Sequence, residues 1–423
     1  MIKCTLNELA VFGGQPAFSK ELSVGCPNIG NRERLFERIN DILESRRLTN
    51  RGPYVEQFEA KIAEIVGVRH CIAMCNATVA LEIAIRALDL EGEVIIPSMT
   101  FIATAHALQW QRITPIFCDI NPETYTLDPA RLEAMITPNT TGIIGVHLWG
   151  RPCDVEQLAD IAARYNLKLL YDTAHAFGCS HKGRMLGSFG EAEVFSFQAT
   201  KFLNSFEGGA VVTNDDALAE KIRLMQNFGF AGHDNVIYIG TNGKMSEVSA
   251  AMGLTSLESL DEFITINYRN YKQYQQGLAD IPGLKLLTFD ETEESNYQYI
   301  VLEIDPLLTH VSRDQLVNVL AAENVLARRY FYPGCHRLEP YRSDQPHAGL
   351  VLPETERLAG QVITLPTGSV IGLDEINKIC QIIHLVIDHG IEMREKLSHR
   401  MQTPTMPLPL NINDVVFETE TIR

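Results

Sequence analysis

Two stretches of sequence decide the fold: LLYDTAHA at residues 169–176 and FSFQATK at residues 195–201. Each begins as a short apolar run without polar alternation, which is typical of a strand buried on both faces of a parallel sheet. The first run ends at the carboxylate of Asp172, and the second continues to the amine of Lys201. Because ligands of parallel α/β sheets bind beyond the carboxyl ends of the strands, both side chains are placed to face one site.

Similar apolar runs recur on both sides of these two stretches. They occupy residues 71–74, 93–96, 114–118, 142–147 and 210–213. Segments with helical periodicity, such as residues 79–87 and 155–165, separate most of them. This alternation of buried strands and helices predicts an α/β domain built around a mostly parallel sheet.

The pattern of short apolar runs ends near residue 255, where a long polar segment begins. We predict a helix over about 257–278, followed by a smaller α+β unit with strands near 297–304 and 325–329 and a last helix over 373–385. The predicted organisation is an N-terminal arm, a large domain, a small C-terminal domain and an extended proline-rich tail, at residues 1–30, 31–255, 256–397 and 398–423.

Charge and cysteine usage restrict the partners of the protein. The 36 basic and 53 acidic side chains give a formal net charge of −17, which repels nucleic acids and anionic membranes, so we expect neither partner. The nine cysteines are scattered without a CxxC pair, which favours free thiols in a reducing compartment. Neither a signal peptide nor an apolar run of roughly 18 residues is recognisable. We expect a cytoplasmic protein that uses no metal.

Four features are candidates for binding and chemistry, and each has a plainer structural explanation. Asp172 either faces a ligand or caps a following helix, and Lys201 is either a solvated charge or a buried amine of lowered pKa. Residues 76–78, Asn-Ala-Thr, either leave backbone N–H groups free for an anion such as phosphate or form an ordinary helix cap. Phe101 either offers an aromatic face to a ligand or belongs to the core.

Together, an anion site, an aromatic face, a carboxylate and a lysine are the groups that pyridoxal phosphate requires. The carboxylate keeps the pyridine nitrogen protonated, so that the ring withdraws electrons, and the lysine holds the aldehyde as a Schiff base. A nicotinamide dehydrogenase would instead need a GxGxxG turn after its first strand, and residues 75–78, Cys-Asn-Ala-Thr, contain no glycine. The residues therefore favour a pyridoxal phosphate enzyme.

The ordered motifs resemble the DegT/DnrJ/EryC1/StrS family of sugar aminotransferases, which have the type I, aspartate-aminotransferase-like fold. The matching segments are GP at 52–53, NAT at 76–78, PSMTF at 97–101, HLWG at 147–150, DTAHA at 172–176, FSFQATK at 195–201, EGG at 207–209 and GTNGKMSE at 240–247. The family often has Gly, His and Arg where this chain has Ala77, Gln198 and Lys244.

The resemblance implies a role for each candidate residue. Lys201 and Asp172 would be catalytic. The residues implied to bind pyridoxal phosphate are Ala77, Thr78, Phe101, Asp172, His175, Ser196, Lys201 and Asn242. Of these, Asn242 would reach the cofactor phosphate of a partner subunit, so the resemblance implies a homodimer with shared active sites.

The resemblance also narrows the substrate. Phe206 and residues 227–230 look like those of enzymes that aminate C-4 of a nucleotide-linked 4-keto-6-deoxyhexose. The implied substrate is dTDP-4-keto-6-deoxyglucose, with L-glutamate as amino donor. Arg329, Tyr330 and Tyr332 are candidates for nucleotide contacts, although a solvated basic pair beside core aromatics would explain them as well.

The alternatives are amination of a 3-keto sugar nucleotide, a sugar dehydratase that uses pyridoxal phosphate, and a non-catalytic pyridoxal phosphate-binding protein. The dehydratases of this family lack the lysine, and a non-catalytic relative would be expected to lose Asp172 or Lys201, whereas both are present. The residues leave open the exact ketosugar, the nucleotide, the carbon aminated and the choice between glutamate and glutamine.

Overall fold

The computed structural model describes the backbone of residues 3–401 and the side chains of residues 3–398. The strands are β1 Leu22–Ser23, β2 His70–Met74, β3 Glu93–Pro97, β4 Thr114–Cys118, β5 Thr140–Val146, β6 Lys168–Asp172, β7 Ser180–His181, β8 Arg184–Met185, β9 Ala192–Ser196, β10 Gly209–Thr213, β11 Leu284–Leu286, β12 Ile300–Ile304, β13 Val325–Leu326 and β14 Val362–Leu365. The α-helices are α1 Arg32–Ser45, α2 Pro53–Val66, α3 Ala77–Ala87, α4 Ile102–Gln109, α5 Pro129–Leu132, α6 Val155–Tyr165, α7 Asp216–Gln226, α8 Glu247–Glu258, α9 Leu260–Gly277, α10 Pro306–Thr309, α11 Arg313–Ala322, α12 Tyr341–Asp344, α13 Pro353–Gln361, α14 Leu373–Asp388 and α15 Gly390–Met401.

A seven-stranded sheet forms the centre of the larger unit, in the order β2-β10-β9-β6-β5-β3-β4. Its strands are parallel except for β10, which runs antiparallel to both β2 and β9. The segment between β9 and β10 contains no α-helix, and a parallel return would need such a crossover. The predicted mostly parallel sheet is confirmed, with one reversed strand near its edge.

Helices cover both faces of this sheet, as its uninterrupted apolar strands require. On one face, Ile72 and Val211 pack in a core with α3, α4 and α7. On the other face, the neighbouring Cys71 and Val212 pack with α2 and α8. Because successive side chains of a strand point to opposite faces, burial of both faces makes the strands mostly apolar, with buried polar exceptions such as Glu193 and Asp172.

The smaller unit is an α+β layer built on the antiparallel sheet β11-β12-β14. Its core includes residues of α9, α11 and α14, together with Leu6, Leu9 and Phe18 from the N-terminal arm. Strand β1 of the arm pairs in parallel with β13. The buried carboxylate of Glu323 accepts hydrogen bonds from Ala10 N and Ala17 N, each at 2.6 Å. The arm is thus packed onto the C-terminal part of the chain, and the predicted fold class is confirmed.

Several predicted elements differ from the observed ones. The polar segment near 257–278 forms α9, but a preceding helix, α8, was missed because it is buried on almost all sides and shows no amphipathic period. The predicted strand 325–329 is only β13, since Arg328 leaves it to pair with Thr364. A further helix, α15, follows α14, so the tail predicted to begin at residue 398 is still helical to Met401. The rest of the predicted tail lies outside the described residues.

The nine cysteines are all free, and six of them are buried. Within residues 3–401, no helix combines the length and the apolar character needed to cross a membrane. In the same part of the chain, no group of three or more His, Cys, Asp or Glu side chains is arranged to hold a metal ion.

Candidate active site

Three segment ends meet at the carboxyl edge of the central sheet. Strands β6 and β9 are parallel neighbours, with Asp172 opposite Val194, so they end side by side at Asp172 and Ser196. Strand β2 runs in the same direction and leads into α3, which begins at Ala77. Lys201 lies in the loop that follows β9. The sheet topology therefore collects the residues that the sequence predicts, as expected for ligand sites of parallel sheets.

Asp172 is a buried carboxylate held by two donors. Thr104 Oγ1 donates to Oδ2 at 2.8 Å, and Ala174 N donates to Oδ1 at 3.1 Å. Burial raises its pKa, and the opposing effects of these hydrogen bonds and of the Lys201 charge do not cancel that rise. A turn rather than a helix follows the residue, which removes the helix-cap alternative.

Lys201 is a half-buried amine whose backbone is fixed in a turn. Its N–H donates to Gln198 O at 2.8 Å, and its Nζ makes no hydrogen bond or ion pair with any residue in 3–401. Burial lowers the pKa of Lys201 to about 8, against the opposing effect of the Asp172 charge. A substantial fraction of the amine is therefore neutral near physiological pH, which suits a nucleophile and does not fit a fully solvated surface charge.

His175 contributes a neutral imidazole with a defined tautomer. Trp149 N donates to its Nδ1 at 3.3 Å, so the ring proton lies on Nε2. Burial lowers its pKa well below the usual range, and the positive charge of Lys201 adds to the effect. The ring packs against Tyr299 and Phe331, with centroids 4.4 and 5.7 Å away. His175 can therefore donate a hydrogen bond at this site without carrying charge.

The start of α3 forms an anion site. Asn76 caps the helix by accepting from Val79 N at 2.8 Å, and the N–H groups of Ala77 and Thr78 have no acceptor among the described residues. Gly209, which pairs with Ser196, approaches this turn so closely that a Cβ would lie 2.6 Å from Ala77 N. Free N–H groups at the positive end of a helix dipole, with a serine hydroxyl adjacent, suit a phosphate.

Aromatic side chains link the site to the smaller unit. Phe101 is 56 % exposed, and its ring lies 6.0 Å from that of Phe331. Phe331 also stacks on Tyr330 at 4.9 Å, in addition to its contact with His175. The sequence prediction named Tyr330 but missed Phe331, although the aromatic run at 330–332 is visible in the sequence.

The remaining predicted residues lie apart from this cluster. Arg329 forms an ion pair with Asp314 at 3.2 Å, and its guanidinium lies 4.9 Å from the ring centroid of the exposed Tyr332. Asn242 is exposed and pairs through its backbone with Asn227. In the described part of the chain, no hydrogen bond or ring contact joins Arg329, Tyr332 or Asn242 to Asp172 or Lys201.

Two supporting residues escaped the sequence analysis because local sequence carries no signal for them. Thr104 reaches Asp172 from α4, and its hydroxyl also lies 3.0 Å from that of Thr100. Asn296 donates from Nδ2 to the carbonyl oxygens of His175 and Phe177, at 3.0 and 2.9 Å. Both fix groups that contact the site, over sequence separations that only the tertiary fold closes.

Comparison with solved structures identifies the class of protein. The chain superposes on the crystal structure of DesI in the presence of its TDP-sugar product with a TM-score of 0.89, at 50 % identity, covering 94 % of this chain and 100 % of that one. For Helicobacter pylori PseC, an aminotransferase involved in the biosynthesis of pseudoaminic acid, the TM-score is 0.81 at 25 % identity, covering 87 % of this chain and 100 % of that one. The fold and the site together define an aminotransferase with the type I pyridoxal phosphate fold.

The sequence comparisons identify the family. Residues 30–384 match the DegT/DnrJ/EryC1/StrS aminotransferase family. The dTDP-4-amino-4,6-dideoxy-D-glucose transaminase of Shigella dysenteriae is 39 % identical over 369 residues, which cover 86 % of this chain and 98 % of that protein. The chain belongs to this family, and the resemblance predicted from its motifs is confirmed.

Proposed function

We propose that this protein transfers an amino group from L-glutamate to C-4 of dTDP-4-keto-6-deoxyglucose, using pyridoxal phosphate. The observation that carries the proposal is the half-buried Lys201, with its pKa lowered to about 8, beside the buried carboxylate of Asp172. The Shigella relative carries the name of a dTDP-4-amino-4,6-dideoxy-D-glucose transaminase, and DesI was crystallised with a TDP-sugar product.

The chemistry of the site fits pyridoxal phosphate group by group. The free N–H groups at the start of α3 and the hydroxyl of Ser196 match a phosphate, and the missing Cβ of Gly209 lets β10 lie close against the Ala77 end of this helix. Asp172 would accept the pyridine N–H, Lys201 would bind the aldehyde carbon, and Phe101 would cover one face of the ring. His175, protonated on Nε2, would donate to the ring hydroxyl. When bound, pyridoxal phosphate supplies an electron sink for deprotonation of the amino donor.

The protein's own groups then divide the work of the reaction. The amine of Lys201, neutral in a substantial fraction of molecules, would move a proton between the substrate carbon and the cofactor carbon. Asp172, which accepts the hydrogen bonds from Thr104 and Ala174, would hold a positive charge on the pyridine nitrogen of the cofactor. The stacked rings of Tyr330 and Phe331, next to His175, would help to exclude water from the occupied site.

We further infer a homodimer in which Asn242 acts in the partner's site. The loop before Asn242 exposes large apolar side chains: Phe228 47 %, Phe230 40 %, Val236 56 %, Ile237 51 % and Ile239 74 %. Five such side chains within residues 228–239 favour an interface, and a second copy of the chain is the simplest cover. Pairing with Asn227 fixes the backbone of Asn242 at the base of this loop.

Arg329, Tyr330 and Tyr332 are our proposed contacts for the nucleotide. Tyr332 is 48 % exposed, and its ring lies 4.7 Å from the Arg313 guanidinium and 4.9 Å from that of Arg329. Arg313 is buried and donates to the carbonyl oxygens of Ala359 and Val362, so Arg329 is the guanidinium left for a pyrophosphate. Tyr330 connects this surface to Phe331 and His175. Because all nine cysteines are unpaired, we infer a reducing, cytoplasmic location.

The test is a product analysis with competing substrates. Purified enzyme is incubated with L-glutamate or L-glutamine and with a dTDP-linked 4-keto-6-deoxy sugar, its 3-keto isomer or a GDP-linked 4-keto sugar. The GDP sugar is included because GDP-perosamine synthase of Caulobacter vibrioides is 34 % identical over 330 residues, which cover 76 % of this chain and 86 % of that protein. NMR should locate the new amine at C-4 of the dTDP sugar, and Lys201→Ala should form none. Amination of only the 3-keto or the GDP sugar would refute this substrate, and no amination of any sugar would refute the activity.

A further inference from the structure

The N-terminal arm contacts the residues on both sides of Lys201. Gly25 has a φ of +78°, and a Cβ there would lie 2.9 Å from Thr200 Cβ. Three residues later, Asn28 Nδ2 donates to Phe202 O at 3.3 Å. Thr200 and Phe202 are the neighbours of Lys201 in the chain, so residues 25–28 bracket the lysine. We call these four residues the arm clamp.

Asn28 is the central residue of the arm clamp. It is 1 % exposed, and both ends of its carboxamide are used: Nδ2 donates to Phe202 O, and Oδ1 accepts from Ser369 N at 3.2 Å. Its main-chain oxygen also accepts from Asn204 Nδ2 at 2.7 Å. Because one end of the amide meets an acceptor and the other a donor, the orientation of the side chain is fixed.

The contacts of Asn28 reach the loop of Lys201 at two points. Asn204 is itself 1 % exposed, and its carbonyl oxygen accepts from Ser256 Oγ at 2.8 Å, which ties the loop to α8. At its two ends, the loop is closed by the hydrogen bond from Ser205 N to Phe197 O at 2.8 Å. Between those ends, the side-chain hydrogen bonds of Asn28 and Asn204 fix the backbone just after Lys201.

We propose that the arm clamp positions Lys201 for the reaction and that Asn28 is the positioning residue. This inference rests on the proposed function, since it concerns the same lysine. A reacting amine must be held within about 0.5 Å of its productive position, and residues that lock the supporting backbone provide that precision. Asn28 acts through the main chain that follows Lys201, whereas Gly25 packs against Thr200, which precedes it.

The test compares two asparagines that hold the same arm. Asn28→Ala removes the hydrogen bond to Phe202 O, next to Lys201, whereas Asn324→Ala removes a bond from Nδ2 to Phe18 O, at 2.7 Å, far from the lysine in sequence. In the holoenzyme, Asn28→Ala should lower kcat on the order of 10- to 100-fold with little change in KM for the sugar nucleotide. Asn324→Ala should stay within about twofold of wild type, because the hydrogen bond that it removes does not involve the loop of Lys201.

Hydrogen exchange in residues 197–208 gives a readout that does not depend on turnover. It should accelerate in Asn28→Ala and not in Asn324→Ala. Asn28→Asp keeps the size and the acceptor for Ser369 N but loses the donor to Phe202 O, so it should share the defect and serves if the alanine variant fails to fold. Equal kcat and equal exchange in the Asn28 and Asn324 variants would overturn the proposal. If wild type itself forms no amino sugar, the proposed function fails, and the exchange data still decide whether Asn28 holds the loop.

Discussion

Gly209→Ala should disturb the anion site at the start of α3. A Cβ at this position would lie 2.6 Å from Ala77 N, 2.8 Å from Ala77 Cα and 2.8 Å from Asn76 C, all of them backbone atoms. Carbon contacts are comfortable at roughly 3.5–4.0 Å, so the start of α3 and β10 would have to separate by about 1 Å. Gly209 lies in β10, between Met74 on β2 and Ser196 on β9, which leaves it no free side.

The expected cost has a structural part and a binding part. Overpacking in a fixed environment destabilises a protein by about 1–3 kcal/mol. Displacing the N–H groups of Ala77 and Thr78 by about 1 Å should also remove the equivalent of one hydrogen bond to a charged group, about 1.5–3 kcal/mol, or roughly 10- to 100-fold in affinity for pyridoxal phosphate. Urea unfolding of the cofactor-free protein measures the first effect, and titration of the cofactor's visible absorbance measures the second.

Gly360→Ala is the matched control. Gly360 lies in α13, and a Cβ there would meet no atom within 4 Å. That alanine should leave cofactor affinity unchanged and stabilise the helix by up to about 1 kcal/mol. The reasoning is refuted if Gly209→Ala binds pyridoxal phosphate as tightly as wild type and unfolds at the same urea concentration.

Three further predictions concern the charged and shared groups of the site. Lys201→Met should abolish turnover yet raise the free energy of unfolding of the cofactor-free protein, because the folded-state pKa of Lys201, about 8, lies below the ordinary 10.5. This gain in stability should be full below pH 8 and vanish as the pH rises towards 10.5, and urea unfolding at several pH values would measure it. Asp172→Asn should slow the half-reaction with glutamate by orders of magnitude while the circular dichroism spectrum stays unchanged. A normal kcat would show that Asp172 only stabilises the turn that follows it. Mixed dimers of Lys201→Ala and Asn242→Ala subunits should be more active than either parent homodimer, and no recovery after verified subunit exchange would place each site within one chain.

The sequence predicts most of the central sheet because its signals are local. A buried parallel strand is an unbroken apolar run, and the ends of β6 and β9 carry Asp172 and Ser196 to one edge. The antiparallel direction of β10 could also be predicted from the sequence, since residues 197–208 are too few for a crossover helix. Hydrophobic periodicity could not predict helix α8, because a helix buried on nearly all sides has no polar face.

The parts of the site that the sequence does not reveal depend on long-range contacts. Thr104 reaches Asp172 only after α4 packs beside the sheet, and nothing near Thr104 in the sequence predicts that hydrogen bond. Phe331 meets His175 only after the smaller unit docks. The same holds for Asn28, which the sequence places in the N-terminal arm without indicating that it is buried beside the loop of Lys201. Residue types are thus predictable where a motif places them, whereas their supports are set by tertiary packing.

Burial of Asp172 and Lys201 both disfavours folding and makes the lysine reactive. Burial penalises the charged form of each, and so raises the pKa of the acid and lowers that of the amine. Their mutual attraction opposes both shifts without abolishing either, which leaves a partly neutral amine beside a carboxyl group of raised pKa. A more exposed pair would fold more easily, but its lysine would remain protonated at physiological pH. The buried arrangement persists because β6, β9 and the lysine loop are fixed from both sides, by the sheet and by the arm.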